Sequence, residues 1–324
     1  NVAFRAESDN PAERRSVEDA FAQSVLAGFE IENPAEPVVT IDLAPLLLSD
    51  MPRLAGRMAA LGQGQYNIDP ERSAIDFGQI RNFPKNALLP ALITFSGSEP
   101  GSFVKDVTPT PDSITLTLSH QFIKLPDAGY EPRVFHPRSG YFALHFRDYA
   151  APLEQPVDRR WIYRHRLEPG QTLRYYLDNG TPEPLRSALL EGASWWSEAF
   201  EAAGFTNGFT VEVLPENADP LDIRYNTIQW VHRSTRGWSY GGSVADPRTG
   251  EIIKGHVSLG SLRVRQDQLI AEALTAPFTD SGTQEQAAQA MALARLRQLS
   301  AHEVGHTLGI DHNFAASFSG DASV

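Results

Sequence analysis

Apolar and polar positions alternate through much of the first half of the chain. Ser113-Ile-Thr-Leu-Thr-Leu118 places an apolar side chain at every second position, and Gly140-Tyr-Phe-Ala-Leu-His-Phe146 forms a second run of strand-forming residues. A period of two puts such residues on one face of a sheet. Proline and glycine punctuate the chain from Pro84 to Gly140, as short strands joined by turns require. Between Val17 and Phe29 the pattern is ambiguous: Ala20, Phe21, Val25 and Phe29 share a helical face, yet the stretch also suits a strand. The segment Ala150-Ala-Pro-Leu-Glu-Gln-Pro156 precedes a basic, strand-like run from Arg159 to Arg166. A domain junction is therefore expected between Pro152 and Gly170.

Beyond Gln171 the period changes. Thr172 to Leu177 reads as a short strand, followed by Asp178-Asn-Gly180 and one long amphipathic helix from Pro184 to Ala203. Leu185, Leu189, Ala193, Trp196 and Phe200 form its apolar stripe, and Gly204 stands where a left-handed C-terminal residue belongs. Strands are expected over Phe209–Leu214 and Ile223–Val231, then a hairpin around Asp246-Pro-Arg-Thr-Gly250 whose second arm is Ile252–Leu259. A last helix runs from Thr283 to Leu308. The pattern predicts an α+β fold, with a β-rich domain over residues 1–165 and a mixed domain over residues 166–324.

Composition narrows the chemistry. A chain of 324 residues exceeds what one hydrophobic core usually supports, in keeping with two domains. The formal net charge of −12 argues against nucleic acid or an anionic membrane surface as partner, because phosphate contacts need clustered Lys and Arg. No apolar run approaches the roughly 20 residues of a membrane-spanning helix. The absence of cysteine removes disulfides, thiolate nucleophiles and thiolate zinc sites, so a transition metal must sit on His, Asp or Glu.

The last helix carries such a set in Ala301-His-Glu-Val-Gly-His-Thr-Leu-Gly-Ile-Asp-His312. His302 and His306 are one turn apart on a single face, where two imidazole nitrogens reach a common metal. Glu303, one step round, reaches a metal-held water without being a ligand, which is the placement of a general base. On a continued helix His312 would be carried ~9 Å along the axis and ~120° off that face. The helix must stop, and Gly309, free to adopt φ > 0, supplies the turn that returns His312 to the metal. Three neutral imidazoles leave zinc an open tetrahedral position, whereas structural sites are closed by four protein ligands. The expectation is a single Zn2+ per chain on His302, His306 and His312, with Glu303 catalytic. His232 and His256, on strands of the same sheet, read first as packing residues. Asp311 reads as solvent-exposed or as a group tuning His312, and Trp195, Trp196 and Trp230 read as core.

These residues closely resemble the extended motif H-E-x-x-H-x-x-G-x-x-H of the metzincin clan of zinc endopeptidases. The order of strand, long helix, strands with an edge hairpin and motif helix, over Gln171 to Val324, is similar to the metzincin upper subdomain, a twisted mixed sheet with two long helices. Leu190-Glu-Gly-Ala-Ser-Trp-Trp196, Gln229-Trp-Val-His-Arg-Ser234 and Asp246-Pro-Arg-Thr-Gly-Glu-Ile252 resemble a bacterial family of large, poorly characterised zinc-dependent metalloproteases with a β-rich N-terminal region. The resemblance implies hydrolysis of a peptide or protein substrate. It also implies that an extended peptide binds along Gly242, Ser243, Val244 and Ala245 through main-chain hydrogen bonds. The resembled family, the start at Asn1 and the lack of cysteine together suggest an extracytoplasmic location: periplasmic, envelope-associated or secreted. The clan places a Met-containing turn under the metal. Ala322-Ser-Val324 looks like its beginning, so Met is expected to follow Val324, the lower subdomain to be missing, and the chain as given to hold zinc weakly. The alternative reading is a non-catalytic, zinc-stabilised binding module for a polymer or partner protein. Glu303 argues against it, since a structural site has no use for a carboxylate beside the metal.

Overall fold

The computed structural model describes residues 3–22, 25–32, 38–233, 238–278 and 284–320. The chain forms two compact units, one of Ala22–Lys124 and one that joins Asn1–Phe21 to Leu125–Val324.

The unit Ala22–Lys124 is built on a four-stranded antiparallel sheet. Its long strand Asn86–Ser98 pairs with Gln65–Ile75, Arg81–Asn82 and Ser113–Ile123. Ala91, Ile93 and Phe95, at alternate positions, are buried with Tyr66 and Val104, and Leu54, Ala55 and Met58 of the helix Leu54–Ala60 pack against them. The alternating run from Ser113 lies within the last of these strands, with Ile114 and Leu118 on its packed face.

The other unit holds two sheets. In the smaller, Ala3–Arg5 runs parallel to Ala143–Asp148, which pairs antiparallel with Asp158–Ile162. The Arg5 guanidinium stacks 4.1 Å from the Phe146 ring centre and donates to the carbonyls of Pro247 and Arg248. The ambiguous stretch from Val17 begins as the end of a helix, Pro11–Ala20, capped by the Asn10 side chain. Phe21 then stacks on Phe4 with ring centres 4.2 Å apart, and residues 23–24 lie outside the described residues.

The larger sheet comprises β1 (Arg164–His165), β2 (Leu173–Leu177), β3 (Phe209–Val213), β4 (Asn226–Val231), β5 (Tyr240–Ala245) and β6 (Glu251–Gly260). Its order is β3-β2-β4-β6-β5, with β1 beside the start of β6. All neighbours are parallel except β5, which runs antiparallel to β6 at the edge. The compact units do not coincide with a division at residue 165. The cause is hydrogen bonding: β1 pairs with Glu251 and Ile252, and Arg5 reaches the turn between β5 and β6.

Four helices accompany this sheet: α1 (Leu185–Ser194), α2 (Trp196–Ala202), α3 (Ser261–Thr275) and α4 (Gln284–Thr307). Leu189 and Ala193 of α1, Leu296, Leu299 and Val304 of α4, and Tyr175, Leu177, Ile228, Val257 and Leu259 of the sheet form one core. Gly192 allows α1 and α4 to touch, since a Cβ there would lie 2.1 Å from the Arg297 carbonyl oxygen.

Two expectations need correction. The single helix over 184–203 is broken at Trp195. Ser194 Oγ bonds the Leu190 carbonyl and Ser197 Oγ that of Ser194, each at 2.7 Å, while the ladder tightens to i→i−3 bonds at Trp195 and Glu198. Serine hydroxyls that bond back to the preceding turn bend helices in this way. The stripe survives the break, with Leu185, Trp196 and Phe200 packed on the core. The second correction is α3, a helix that the pattern did not predict. Among its 15 residues only Asp267 and Ala271 are buried, so no apolar stripe marks it in the sequence.

Candidate metal centre

The final turns of α4 carry His302, Glu303 and His306. The helix ends in a Schellman motif, with Ile310 N donating to the Gly305 carbonyl and Gly309 N to that of His306, at 3.1 and 3.0 Å. Gly309 occupies the left-handed position at φ +96°, and a Cβ there would lie 2.1 Å from the Tyr163 carbonyl oxygen. The chain then runs antiparallel to residues 140–142: Asp311 N donates to Gly140 O and Phe142 N to Gly309 O, each at 2.8 Å. This ladder carries His312 back beneath the helix.

His306 Nε2 lies 3.1 Å from His302 Nε2 and 3.1 Å from His312 Nε2. The Nδ1–H of His306 donates to the Ile310 carbonyl at 2.8 Å, which leaves Nε2 as a lone pair facing the other two rings. A cation among the three rings would take this lone pair together with the Nε2 lone pairs of His302 and His312. Two nitrogens at metal distances of 2.0–2.1 Å and a tetrahedral angle stand about 3.3 Å apart, close to the observed spacing. The donor set suits zinc, and the ring nitrogens of all three residues lie within 4.8 Å of one another. Among the described residues no other group of three His, Cys, Asp or Glu side chains is placed to hold a metal. Burial, with the neighbouring His306, His312 and Arg295, lowers His302 to a pKa of about 4 and keeps its lone pair free at neutral pH.

Glu303 is only 5% exposed. Burial raises its pKa, against the opposing influence of His306, the Gly241 backbone N–H that its carboxylate accepts from, Arg263 and Arg295. Gly241 belongs to β5, and a Cβ there would lie 2.0 Å from the Glu303 carbonyl oxygen. Only glycine lets the edge strand lie this close over α4.

Of the suspected peptide-binding strand, Gly242 and Ser243 line a cavity of ≈ 420 Å³ beside His306, together with Tyr141, Phe142 and Tyr163. Val244 and Ala245 lie farther along β5, paired with Lys254 and Ile252 across a bulge. On its other side β5 has no strand partner among the described residues. His232 bonds Ser261 Oγ and His256 bonds Thr227 Oγ1, and neither joins the metal cluster. Asp311 is exposed and caps the His312 backbone N–H. Residues 321–324, where the first residues of a Met-containing turn were expected, lie outside the described residues.

The sequence pattern did not single out the supports. Trp196 donates its indole N–H to the Ala301 carbonyl at 2.8 Å and packs on Gly305, which lies between His302 and His306 in the chain. Behind α4, His165 Nε2–H donates to the Thr307 carbonyl at 3.1 Å, and Tyr175 O–H meets Thr307 Oγ1 at 2.7 Å. Arg295 faces the same cleft as His302 two turns earlier on α4, a spacing of seven that is visible in the sequence.

Residues 284–323 match the family described as Met-zincin, and with the histidine triad this supports a metzincin-like zinc protease. Residues 1–170, just over half of the chain, match the domain of unknown function DUF5117, and the chain belongs to that family. No curated protein matches the chain.

Proposed function

We propose that the protein is a zinc-dependent endopeptidase, with His302, His306 and His312 as metal ligands and Glu303 as general base. The observation that carries this reading is the convergence of three imidazole Nε2 atoms beside a buried carboxylate that is not one of the ligands. Zinc bound there supplies a Lewis acid that polarises the scissile carbonyl and acidifies water. Glu303 accepts the proton of the attacking water and returns it to the departing amine. Its burial makes it a better base than an ordinary carboxylate, and the Gly241 N–H fixes its orientation. The edge of β5 without a strand partner among the described residues, from Gly242 through Ser243, Val244 and Ala245, offers main-chain groups to an extended peptide.

The test pairs metal analysis with hydrolysis of unfolded protein substrates. The protein should bind one zinc, and His306→Ala should lose it. Glu303→Gln should retain zinc and lose hydrolysis by ~10²-fold or more, since an amide preserves shape but accepts no proton. Near-normal turnover by the Gln variant would show that Glu303 is not the base. Zinc binding with no hydrolysis by the unmodified protein would favour a zinc-stabilised binding module.

A further inference from the structure

We propose that the cleft beside the histidines selects peptides that carry a carboxylate next to the scissile bond, gripped by Arg263 and Arg295. This rests on the endopeptidase reading and names its substrate class. The cleft, ≈ 670 Å³, is bounded by His302, Glu303, His306 and His312 and by the Trp238–Gly241 end of the edge strand. Its other charged residues are Arg263 of α3 and Arg295 of α4, and Glu303 is the one acid among the described residues that line it.

Both guanidinium groups retain unused donors. Arg263 spends its Nε on the two carboxylate oxygens of Asp267, at 3.0 and 3.2 Å, which leaves its terminal nitrogens without a hydrogen-bond partner among the described residues. Arg295 bonds the Gln298 side chain through Nη1 alone and is exposed. Arg295 is two turns before His302, hence on the metal-facing side of α4. Both lie close enough to lower the Glu303 pKa. A planar fork of N–H donors matches a carboxylate better than any other peptide group. Asp267 offsets part of the Arg263 charge, and Glu303 is the one carboxylate in the lining that faces both arginines. Two arginines against one carboxylate make the lining net positive on a chain with a net charge of −12, which disfavours basic side chains as it favours acidic ones. Trp238 and Tyr240, 84% and 53% exposed, supply apolar area at the rim for the rest of a peptide to cover.

The carboxylate has two sources, an acidic side chain or the chain end of the substrate, and peptides distinguish them. Internally quenched peptides that differ only in Glu, Gln or Lys at each position flanking the bond, each with a free or amidated C-terminus, are assayed with the zinc-loaded protein. Equilibrium binding of the same peptides is measured by fluorescence anisotropy. At one position Glu should be preferred over Gln by about tenfold in kcat/KM and in affinity, and Lys should be worst. Arg295→Gln should bring the Glu/Gln ratio to within about twofold of unity. Arg295→Glu should reverse the preference toward Lys. Arg263→Lys, which keeps a partner for Asp267, should reduce the ratio. A preference that follows the free C-terminus identifies the chain end as the source. Equal use and equal binding of Glu and Gln peptides, a preference indifferent to both arginines, or no binding of any peptide overturns the proposal. Hydrolysis without acid selectivity sinks this inference and spares the endopeptidase reading, whereas acid-selective binding without hydrolysis does the reverse.

Discussion

Gly309 meets two constraints that separate residues would break separately. Its φ of +96° excludes a side chain on backbone grounds, and the Tyr163 carbonyl leaves no room for a Cβ. Gly309→Ala is expected to destabilise the fold by about 2–4 kcal/mol, combining left-handed strain with a steric clash. It should also weaken zinc binding, because His312 depends on that turn. Urea unfolding and competition with a zinc chelator read the two effects, and an unchanged midpoint would show that the turn relaxes freely. His165 supplies a pH dependence. Its ring is held against Thr307 and Tyr175, and burial lowers its pKa to about 4, below the unfolded value near 6.5. The unfolded chain therefore takes up the proton first on acidification. The stabilisation from the neutral ring is complete above pH 6.5 and is lost as pH falls toward 4, to a limit of about 3 kcal/mol. Unfolding free energies of the protein and of His165→Gln, compared between pH 7.5 and 4.5, should converge at the acid end. A constant difference would mean that His165 does not titrate as described.

At the scale of elements, α4 is positioned by what it touches rather than by its own propensity. The break between α1 and α2 accompanies the approach of Trp196 to the Ala301 carbonyl and to Gly305, the residue before His306. Trp196→Phe removes the indole N–H and leaves the Ala301 carbonyl short of a partner in a tightly packed place. We expect a loss of about 1–2 kcal/mol and a several-fold decrease in zinc affinity, measured by thermal unfolding and chelator competition. If stability falls while zinc affinity holds, Trp196 is a packing residue alone. The same reasoning applies where β5 crosses α4. Gly241→Ala should displace the edge strand from Glu303 and lower kcat more than it lowers stability, because the displaced N–H bonds the carboxylate proposed as the base.

At the scale of the whole molecule, the candidate metal centre is braced by sequence far upstream of the motif. Gly140 and Phe142 form the ladder that holds Gly309 to Asp311, and the Tyr163 carbonyl sits against Gly309. All three lie within the stretch that matches DUF5117, so that region supplies part of the scaffold around the histidine cluster. A fragment of residues 166–324 is therefore expected to bind zinc at least tenfold more weakly than the 324-residue chain and to melt at lower temperature. Equal affinity in isothermal titration would show that the upstream ladder is dispensable.

What the sequence by itself determined is what depends on near neighbours in the chain. The spacing of His302 and His306, the turn at Gly309, the stripe from Leu185 to Phe200 and the alternation from Ser113 are each set by residues a few positions apart in one helix, turn or strand, where backbone geometry dictates the outcome. Tertiary structure alone decided the rest. α3 carries no apolar stripe because it buries little, so periodicity had nothing to report. The break at Trp195 comes from serine hydroxyls competing for carbonyls, which no hydrophobic pattern records. The compact units, the bracing of His312 by residues 140–142 and the opening of Arg263 and Arg295 onto the same cleft join residues separated by tens to hundreds of positions. Such pairings are chosen by burial and hydrogen bonding across the fold, and a single chain read from end to end holds no local trace of them.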